Sequence, residues 1–451
     1  MPAVAEGRAV SNREEYVLRT VAERGVRFIR LWFTDINGVL KSFAIPPAEL
    51  QTAFDEGMHF DGSSIDGFSR VQEADMLARP DPTTFQILPW RPDQAGVARM
   101  FCDIITPDGK AFEGDPRQVL RHNLQRAQTL GYEFFVGPEI EFFYFEDAGP
   151  EPKTLDNGGY FDLTPLDVAQ EYRRTTIMAL EQLGIPVELS HHEVSPSQHE
   201  LDLRYSDALS MADNLVTTRL AVKEVAMEHG IYATFMPKPL EAHDGSGLHL
   251  HLSLFQNDAN AFHEAGSDTG LSKIGESFVA GLLHHAPEIT AVTNQWVNSY
   301  KRLVLGFEAP IHTTWARANQ ASLVRIPTPK HGKESSTRIE YRAPDPACNP
   351  YLAFSVLLAA GLSGIENAMP LPDEIRSNPR ELSAAERKDA GVQRLPSSLD
   401  RALDLMEGSA LVREALGSHV FEWFLRNKRA EWDRYQHRVS RYELETYLPV
   451  L

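Results

Sequence analysis

The chain has few of the residues and segments that would place it outside a reducing cell interior. Only two of its 451 residues are cysteine, Cys102 and Cys348, which excludes a disulfide framework and a structural zinc site. Met1 to Glu15 is polar and has no apolar signal-peptide core. The longest apolar run, Tyr351 to Ile365, is too short to span a bilayer and follows the helix-start pattern Asn349-Pro350. We therefore expect a soluble, cytoplasmic protein in which this run is a buried helix.

An excess of basic residues is also missing. The chain has 63 acidic and 44 basic residues, a formal net charge of -19. Such a surface repels phosphate backbones and anionic membranes, so we expect neither a nucleic-acid nor a membrane partner. No Walker loop, dinucleotide-binding glycine motif or nucleophile elbow occurs, which removes support for those chemistries. The length and an apolar content of 42% are typical of an enzyme with two or three domains.

Local patterns predict a small α+β domain over residues 1–112. Arg27 to Ala44 alternates like two strands around a turn, Pro47 to Gly57 is helical, and Thr84 to Ile105 is rich in strand formers. Asp115-Pro116 then opens a helix that runs through Thr129. The rest, residues 113–451, alternates amphipathic helices with polar-rich strands.

The C-terminal third contains two further segments with a clear pattern. Asp373 to Gln393 is charged and has little periodicity, which predicts a surface excursion. Ser397 to Glu445 has helical periodicity with charged faces.

Two glutamates lie side by side in an apolar stretch. Glu139 and Glu141 are flanked by Phe134 to Val136 and by Phe142 to Phe143, which predicts a mostly buried strand. Side chains two apart on a strand share a face, so both carboxylates point the same way. Buried like charges require a positive group between them, either a divalent cation or an arginine pair. The alternative is that both glutamates reach solvent on a polar strand face.

Two further stretches combine histidines with glutamates. His191 to Glu200 contains proline and serine, which predict a loop; Glu193 and Glu200 either converge on a ligand there or are simply solvated. A glycine-rich turn, which allows close approach of the backbone to a ligand, precedes His249 and His251 on one strand face. Core histidines with satisfied hydrogen bonds are the alternative for this pair.

The last two stretches are basic. Asn298 to Leu303, followed by Gly306 to Pro310, is either a ligand-binding segment or a solvated loop. Arg338, Glu340 and Arg342 alternate with apolar residues and so share a strand face, with a solvated strand edge as the alternative. Arginine forks suit carboxylates and phosphates, while the carboxylate suits a metal or an ammonium group.

Together these stretches provide a set of hard metal ligands. The set consists of Glu139, Glu141, Glu193, Glu200, His249 and Glu340. Oxygen ligands with one imidazole suit Mg²⁺ or Mn²⁺ better than zinc. The neighbouring arginines indicate phosphate and carboxylate substrates beside the metals.

At these residues the sequence resembles class I glutamine synthetase, nearly from end to end. Seven motifs occur in the family's order: Phe60 to Ser64, Pro138 to Phe143, His191 to Glu193, Ala233 to Pro239, Gly245 to His249, Asn298 to Leu303 and Arg338 to Glu340. The resemblance implies an α+β fold, with an N-terminal β-grasp domain (1–112) and a C-terminal catalytic domain (113–451). In the latter an antiparallel sheet flanked by helices forms a funnel between subunits. It also implies a homo-oligomer, a dodecamer of two hexameric rings.

The resemblance implies ATP-dependent ligation of ammonia to the γ-carboxylate of L-glutamate through γ-glutamyl phosphate. One Mg²⁺ or Mn²⁺ ion would be bound by Glu141, Glu193 and Glu200, and a second by Glu139, His249 and Glu340. Arg302 would bind the substrate α-carboxylate and Arg342 the transferring phosphate and side-chain carboxylate. Gly245 would meet the substrate amino group through its backbone.

The resemblance also implies positions for ATP and ammonium. His251, Arg325 and Arg338 would face the phosphates, and Glu188, Phe235 and Ser253 would lie near adenine and ribose. Asp61, reaching in from a neighbouring subunit, would deprotonate ammonium, and Glu308 would close the site as a flap. Ammonium becomes a nucleophile only after it loses a proton, and a closed flap protects the acyl phosphate from water.

Four residues depart from the family pattern. They are Ser197 in place of a glycine, Asp244 in place of an asparagine, Leu305 in place of the flap proline, and Gln320 in place of an arginine. Because the family includes ligases for methylamine, ethanolamine, polyamines and anilines, a γ-glutamyl-amine ligase stays open as an alternative. Asp61 and Glu308 favour ammonia. A catalytically weak regulatory or scaffold paralogue is a third hypothesis, against which the six metal ligands argue.

Two further positions concern regulation. Arg380 occupies the place of the tyrosine that is adenylylated in some members, so we do not expect that control. Arg70 matches an arginine of feedback-sensitive members.

Overall fold

The computed structural model describes residues 11–63, 65, 75–90, 96–306, 308–329, 332–333, 336–379 and 381–451. Within these ranges the chain forms two sheets with helices packed against them. Arg70 and Arg380, on which two of the sequence expectations rest, lie outside the described residues. Among the described residues, no helix has the length and apolarity that a membrane crossing needs.

The first sheet comes from the sequence before residue 106. Its described elements are α1 (Asn12–Glu23), β1 (Val26–Thr34), β2 (Leu40–Ile45), α2 (Leu50–Asp55), β3 (Met58–Asp61), β4 (Asp75–Pro80), β5 (Gln86–Ile87) and β6 (Gly96–Ile105), with 3₁₀ turns at Pro47–Glu49 and Pro82–Thr84. The strand order is β2-β1-β6-β4-β3, with β5 beside β6. β1 pairs with β2 antiparallel and with β6 parallel. The predicted strand pair, its turn and the following helix are therefore confirmed.

The second sheet holds the chemically interesting stretches. Its described strands are β7 (Glu133–Phe145), β8 (Val187–His192), β9 (Gln198–Leu203), β10 (Ser206–Asp207), β11 (Tyr232–Thr234), β12 (Leu248–Gln256), β13 (Ala259–Asn260), β14 (Trp315–Ala316), β15 (Val324–Arg325) and β16 (Ile339–Tyr341). The main order is β14-β15-β16-β12-β7-β9-β8. All described pairings are antiparallel except that of the short strands β14 and β15. The long strand β7 thus lies between β12 and β9.

Helices cover this sheet and continue to the C-terminus. They are α3 (Pro116–Thr129), α4 (Gln170–Gln182), α5 (Ala208–Glu228), α6 (Lys273–Thr293), α7 (Ser299–Arg302), α8 (Pro350–Glu366), α9 (Ala384–Asp389), α10 (Leu399–Glu407), α11 (Ala410–Gln436) and α12 (Arg441–Tyr447). The predicted buried helix is α8, which begins after an Asn349 cap that accepts from the Tyr351 and Leu352 amides. Its backbone packs directly on α6, since a Cβ on Gly281 would lie 2.2 Å from the Ala360 carbonyl oxygen.

Helix α3 connects the two sheets through a buried arginine. It begins at the residue that the sequence predicted, with Asp115 as its cap. Arg117 on its first turn pairs with Asp81, directly after β4, at 3.0 Å and with Asp103 of β6 at 2.6 Å. The same guanidinium binds Asp213 of α5 at 2.9 Å. Because these groups are buried or partly buried, the network fixes the first sheet against the second.

Two local predictions need correction, and a third gains detail. The loop predicted for residues 191–200 is confined to 193–197, because its flanks form strands β8 and β9, which pair with each other while β9 also pairs with β7. Asn298 to Leu303 contains the short helix α7 instead of a loop. The surface excursion predicted for 373–393 is largely exposed in its described residues, and it contains the short helix α9, whose capping box joins Ser383 and Glu386.

Candidate active site

Strand register brings the predicted residues together across the second sheet. Glu139 on β7 lies opposite His249 on β12, and Glu141 lies opposite Glu200 on β9. The sequence separates these strands by more than fifty residues, so their meeting depends on the sheet and not on local spacing. One polar row therefore crosses an otherwise apolar sheet.

The first cluster consists of Glu139, His249 and Glu340, which offer ligand atoms within 4.8 Å of one another. His249 Nδ1 lies 3.1 Å from Glu139 Oε2 and 3.9 Å from Glu340 Oε1. His251 Nε2 adds a contact of 2.6 Å to Glu139 Oε1. This cluster contains the three residues that the resemblance implied for one metal.

The second cluster consists of His191, Glu193 and Glu200. His191 Nδ1 lies 3.6 Å from Glu193 Oε1, and its Nε2 lies 3.5 Å from Glu200 Oε1. Glu141 lies beside both clusters, with Oε1 3.8 Å from His249 Nε2. The structure therefore puts a histidine, which the predicted ligand set lacked, next to two of its glutamates.

Without a cation nearby, burial and mutual repulsion disfavour the ionised form of most of these carboxylates. Burial raises the pKa of Glu141 to about 8, and the neighbouring Glu193 adds to the effect. Burial likewise raises the pKa of Glu193 to about 7 and that of Glu200 well above its usual value. Burial also opposes ionisation of Glu139, but its contacts with His249 and His251 outweigh this and lower its pKa. Divalent cations fit here, because they would offset the repulsion and prefer oxygen donors.

Glycine is required where His249 of the first cluster and Glu141 meet Arg302. A Cβ on Gly247 would lie 2.7 Å from Arg302 Nη2, 2.9 Å from His249 Nε2 and 3.2 Å from Glu141 Oε1. A Cβ on Gly245 would lie 2.2 Å from a backbone carbonyl oxygen. The glycine-rich turn thus allows functional side chains to converge on its backbone.

Arg302 is buried and has a free edge. Nη1 donates to the carbonyl oxygens of Ala343 at 2.7 Å and Pro344 at 3.1 Å, and Nη2 donates to that of Arg342 at 3.2 Å. Its Nε is buried without a hydrogen-bond partner among the described residues, and the residue is 1% exposed. The Nε and Nη2 edge of a guanidinium suits a carboxylate held by two parallel hydrogen bonds.

Two arginines contact Glu340, which is completely buried. Arg342 Nη1 and Arg325 Nε donate to opposite oxygens of this carboxylate. Burial would raise the pKa of Glu340, but the charge of Arg342 outweighs it and lowers the pKa. Within the part of the chain that the structure describes, Arg342 Nε is buried without a hydrogen-bond partner. A cation at Glu340 would therefore compete with arginines that are themselves suited to phosphate.

A cavity of about 400 Å³ opens beside the first cluster. It is lined by residues that include Glu188, Asp202, His251, Ser253 and Arg338. Arg338 Nε donates to His251 Nδ1 at 3.1 Å. The cavity thus offers the Arg338 guanidinium and the Ser253 hydroxyl as donors beside the carboxylate of Glu139. Such donors suit phosphate and sugar groups.

Phe235 does not line this cavity. It is 5% exposed and packs on Phe142, with ring centroids 5.4 Å apart. It lines a separate, mostly apolar cavity of about 720 Å³ with Trp296 and Tyr435. The structure therefore separates Phe235 from Glu188, although the resemblance implied that both face the nucleotide.

Asp61 and Glu308 are exposed. Asp61 ends β3 and accepts a hydrogen bond from the Ser63 amide at 2.8 Å, which with the Ser63 side chain lowers its pKa. The backbone amide of Glu308 donates to Asp244 Oδ1 at 2.6 Å. The negative charge of the Glu308 side chain helps to raise the pKa of Glu193, which burial raises most. Glu308 therefore lies near the second cluster, while Asp61 belongs to the first sheet.

Sequence reasoning missed several residues of the site. Gln198 Nε2 donates to Glu141 Oε2 at 2.9 Å, and Asp202 Oδ1 is buried without a partner. Tyr160 and Phe161 stack at 4.1 Å and meet the His191 ring edge-on. Alternation of polar residues with leucine along β9 is a signal that would have found Asp202. No local signal marks the aromatic pair.

Comparisons with known proteins match nearly the whole chain. The family model described as glutamine synthetase, catalytic domain, matches residues 113–447, and that described as glutamine synthetase, beta-grasp domain, matches residues 25–107. The chain is 56% identical over 445 residues to a glutamine synthetase of Mycobacterium tuberculosis, covering 97% of this chain and 100% of the relative. It is 50% identical over 441 residues to one of Methanosarcina mazei, covering 97% and 98%.

Solved structures show the same similarity. A Plasmodium falciparum glutamine synthetase aligns with a TM-score of 0.88 at 26% identity, covering 98% of this chain and 99% of the other. A chain titled as a GmaS/ADP complex aligns with a TM-score of 0.87 at 31% identity, covering 96% and 99%.

Proposed function

The chain belongs to the glutamine synthetase family, and we propose that it is a glutamate–ammonia ligase. It uses ATP to join ammonia to the γ-carboxylate of L-glutamate through γ-glutamyl phosphate, and so forms glutamine for nitrogen metabolism. The observation that carries this proposal is the convergence of Glu141 and the first carboxylate–imidazole cluster on the buried Arg302, whose Nε has no hydrogen-bond partner among the described residues. A γ-glutamyl-amine ligase is not favoured, because relatives at 45–56% identity are named glutamine synthetases.

Two divalent cations, Mg²⁺ or Mn²⁺, bind at the clusters. Glu139, His249 and Glu340 hold one, which their mutual distances support. Glu141, Glu193 and Glu200 hold the other, which the raised pKa values of these carboxylates support, and His191 lies close enough to join them. The cations supply Lewis-acid stabilisation of charge on the phosphoryl group.

Glutamate binds between Arg302 and the metal clusters. The Nε and Nη2 edge of Arg302 takes the α-carboxylate, which its unpartnered Nε supports. The Gly245 backbone meets the amino group. Arg342, which also has an unpartnered buried Nε, orients the γ-carboxylate and the phosphate. A buried arginine fork selects a carboxylate because nothing else satisfies both donors.

ATP occupies the cavity beside the first cluster. Glu188, His251, Ser253 and Arg338 bind it there, which their shared lining of the cavity supports. Arg325 faces the phosphates once it leaves Glu340. Phe235 is assigned near adenine by the resemblance alone. It lines a different cavity from Glu188.

The ammonium step uses two acidic residues. Glu308 closes the site, which its electrostatic effect on Glu193 supports. Asp61 acts from a neighbouring subunit, which its exposed position on β3 supports. Either carboxylate lowers the cost of removing a proton from ammonium beside the acyl phosphate. This requires a homo-oligomer, for which the resemblance implies a dodecamer of two hexameric rings.

The remaining assignments concern organisation and compartment. We assign a β-grasp domain to 1–112 and a catalytic domain to 113–451. Cys102 and Cys348 are buried and unpaired, which supports a reducing cytoplasm.

The test is product formation by the purified enzyme with a panel of nucleophiles. Enzyme, ATP, Mg²⁺ and glutamate are incubated with ammonium, methylamine, ethanolamine, putrescine or aniline, and products are identified by mass spectrometry. We expect kcat/KM to be highest for ammonium, with glutamine as the product. The control is Arg302→Lys, which keeps the charge but loses the fork. A higher kcat/KM for any other amine would contradict the proposal.

A further inference from the structure

The hairpin β8–β9 has a second buried face, opposite the carboxylates. Its inward face carries His191 and Glu200, which lie opposite each other in the register. Its outward face carries His192 and His199, also opposite each other and both 0% exposed. A connecting segment, residues 155–161, lies over that face. We propose that Asp156 and Ser197 clamp this hairpin and thereby position it for cation binding, an inference that rests on the proposed function.

Asp156 is the centre of the clamp. Its Oδ1 accepts from the Ser197 amide at 2.7 Å, from His192 Nε2 at 3.1 Å and from the Gly158 amide at 3.3 Å. One carboxylate oxygen therefore joins both ends of the loop 193–197 to the segment. Its side chain is 2% exposed, so these contacts are shielded from water.

Ser197 provides the reciprocal half of the clamp. Its hydroxyl oxygen accepts from the Leu155 amide at 2.6 Å and the Asp156 amide at 3.3 Å. The residue is 0% exposed and has φ +60°, a conformation that disfavours every residue with a Cβ except in special contexts. A serine in this conformation is explained by its hydroxyl, which glycine, the residue of the family pattern, would lack.

The clamp acts on the carboxylates through residues that are their direct neighbours in the chain. His192 Nδ1 lies 2.7 Å from the Glu193 carbonyl oxygen, and the Phe161 amide donates to the His192 carbonyl oxygen at 3.1 Å. Glu193 follows His192 directly. Holding the His192 ring in place therefore also holds the backbone that sets the direction of the Glu193 side chain. The same segment brings the Tyr160 and Phe161 rings against His191.

The buried cluster Asp156, His192 and His199 is a hydrogen-bonded support and not a third cation site. Arg173 Nη1 lies 2.8 Å from His199 Nδ1 and can only donate, so His199 Nε2 carries a proton. A protonated nitrogen offers no lone pair to a metal. The guanidinium of Arg173 would also repel a cation, although Asp167 partly offsets its charge at 2.6 Å.

Removing a group that orients metal ligands typically costs about 10–100-fold in metal affinity. We expect that loss at the Glu193 and Glu200 cluster in Asp156→Ala. The cluster of Glu139, His249 and Glu340 lies on other strands, so its affinity should stay within about twofold of wild type. In Ser197→Gly, the direction of the change in Mn²⁺ affinity distinguishes two explanations. Relief of backbone strain alone would strengthen binding, whereas loss of the clamp weakens it.

The experiment measures Mn²⁺ binding to the full-length enzyme by electron paramagnetic resonance, without turnover. Wild type, Asp156→Ala, Ser197→Gly and Asp147→Asn are compared. Asp147 is the matched control, because it is exposed, follows β7 in the same connection as Asp156, and contacts only the Gly149 amide at 2.7 Å and Lys153 Nζ at 3.8 Å among the described residues. A parallel assay measures kcat and the half-saturating Mn²⁺ concentration. We expect excess Mn²⁺ to restore kcat in Asp156→Ala. The carboxylates of Glu193 and Glu200 remain in that variant, so they still bind the ion when its concentration is high enough.

Each outcome decides the proposal. Selective weakening of one of two Mn²⁺ sites in both clamp variants supports it. Wild-type affinity at both sites in folded Asp156→Ala overturns it, as does stronger binding in Ser197→Gly or a third tight Mn²⁺ site lost in Asp156→Ala. If Asp156→Ala does not fold, Ser197→Gly decides alone. Two Mn²⁺ sites without glutamine formation would refute the proposed function and leave the clamp standing.

Discussion

Cation binding at the second cluster should release protons, because the carboxylates there hold them at neutral pH. Burial raises the pKa of Glu141 to about 8 and that of Glu193 to about 7. A cation binds only the deprotonated carboxylates, so it must displace the protons. Raised pKa values mean that the protonated forms dominate below pH 7. Cation affinity therefore rises as the pH rises through the window from 6 to 8.

The magnitude follows from these two values. At pH 6.5 Glu141 is almost fully protonated and Glu193 is about three-quarters protonated, so binding releases about 1.7 protons from the pair. Between pH 8 and pH 6 the affinity falls roughly 50-fold through Glu141 and roughly tenfold through Glu193. The combined loss is on the order of several hundred-fold. Without cations Glu141 and Glu193 bind more protons in the folded protein than in the unfolded chain, so the contribution of these two groups to stability falls as the pH rises from their unfolded pKa values towards 8.

The assay is isothermal titration calorimetry of Mn²⁺ binding at pH 6.5 in buffers of different ionisation enthalpy. The slope of binding enthalpy against buffer ionisation enthalpy gives the number of protons released. Glu141→Gln should reduce that number by about one. Glu171→Gln, an exposed glutamate that pairs with Arg174, should leave it unchanged. Zero proton release in wild type, or an affinity that does not vary with pH, would refute the reasoning.

Three further predictions follow from packing and charge. Gly281→Ala should lower the free energy of unfolding by at least about 2 kcal/mol, seen as a lower Tm, because its Cβ would meet the Ala360 carbonyl oxygen at 2.2 Å; an unchanged Tm would show that α6 and α8 can separate. Arg302→Lys should raise the KM for glutamate on the order of 100-fold and leave the KM for ATP nearly unchanged, since a single ammonium cannot replace the fork. Arg117→Met should lower stability by about 3–5 kcal/mol in thermal unfolding, because it strands a buried Asp213, and a loss under 1 kcal/mol would contradict that role.

Much of the fold was predictable where local signals agree with tertiary packing. The Asp115 cap and proline fixed the start of α3, and the apolar run after Asn349 identified α8. The loop predicted around Glu193 failed for a physical reason. Proline and serine describe only local preferences, and the pairing of β8 with β9 and of β9 with β7 outweighed them on the two sides of the loop.

The candidate site shows the same division. Alternation along single strands identified Glu139, Glu141 and the Glu340 face, because side-chain direction on a strand is set by the local backbone. Which residue of another strand meets them depends on register, which single-sequence patterns do not contain. For this reason His191 and Gln198 were missed, although both lie within contact distance of predicted ligands.

The three carbonyl oxygens around Arg302 also have a thermodynamic consequence. A free arginine side chain has about 2 kcal/mol of rotamer entropy, which an exposed arginine would lose on gripping a ligand. In this protein Ala343, Pro344 and Arg342 already hold the guanidinium still. Ordering of this side chain is thus completed during folding, and association with a carboxylate can be enthalpically favourable without a matching entropic loss there.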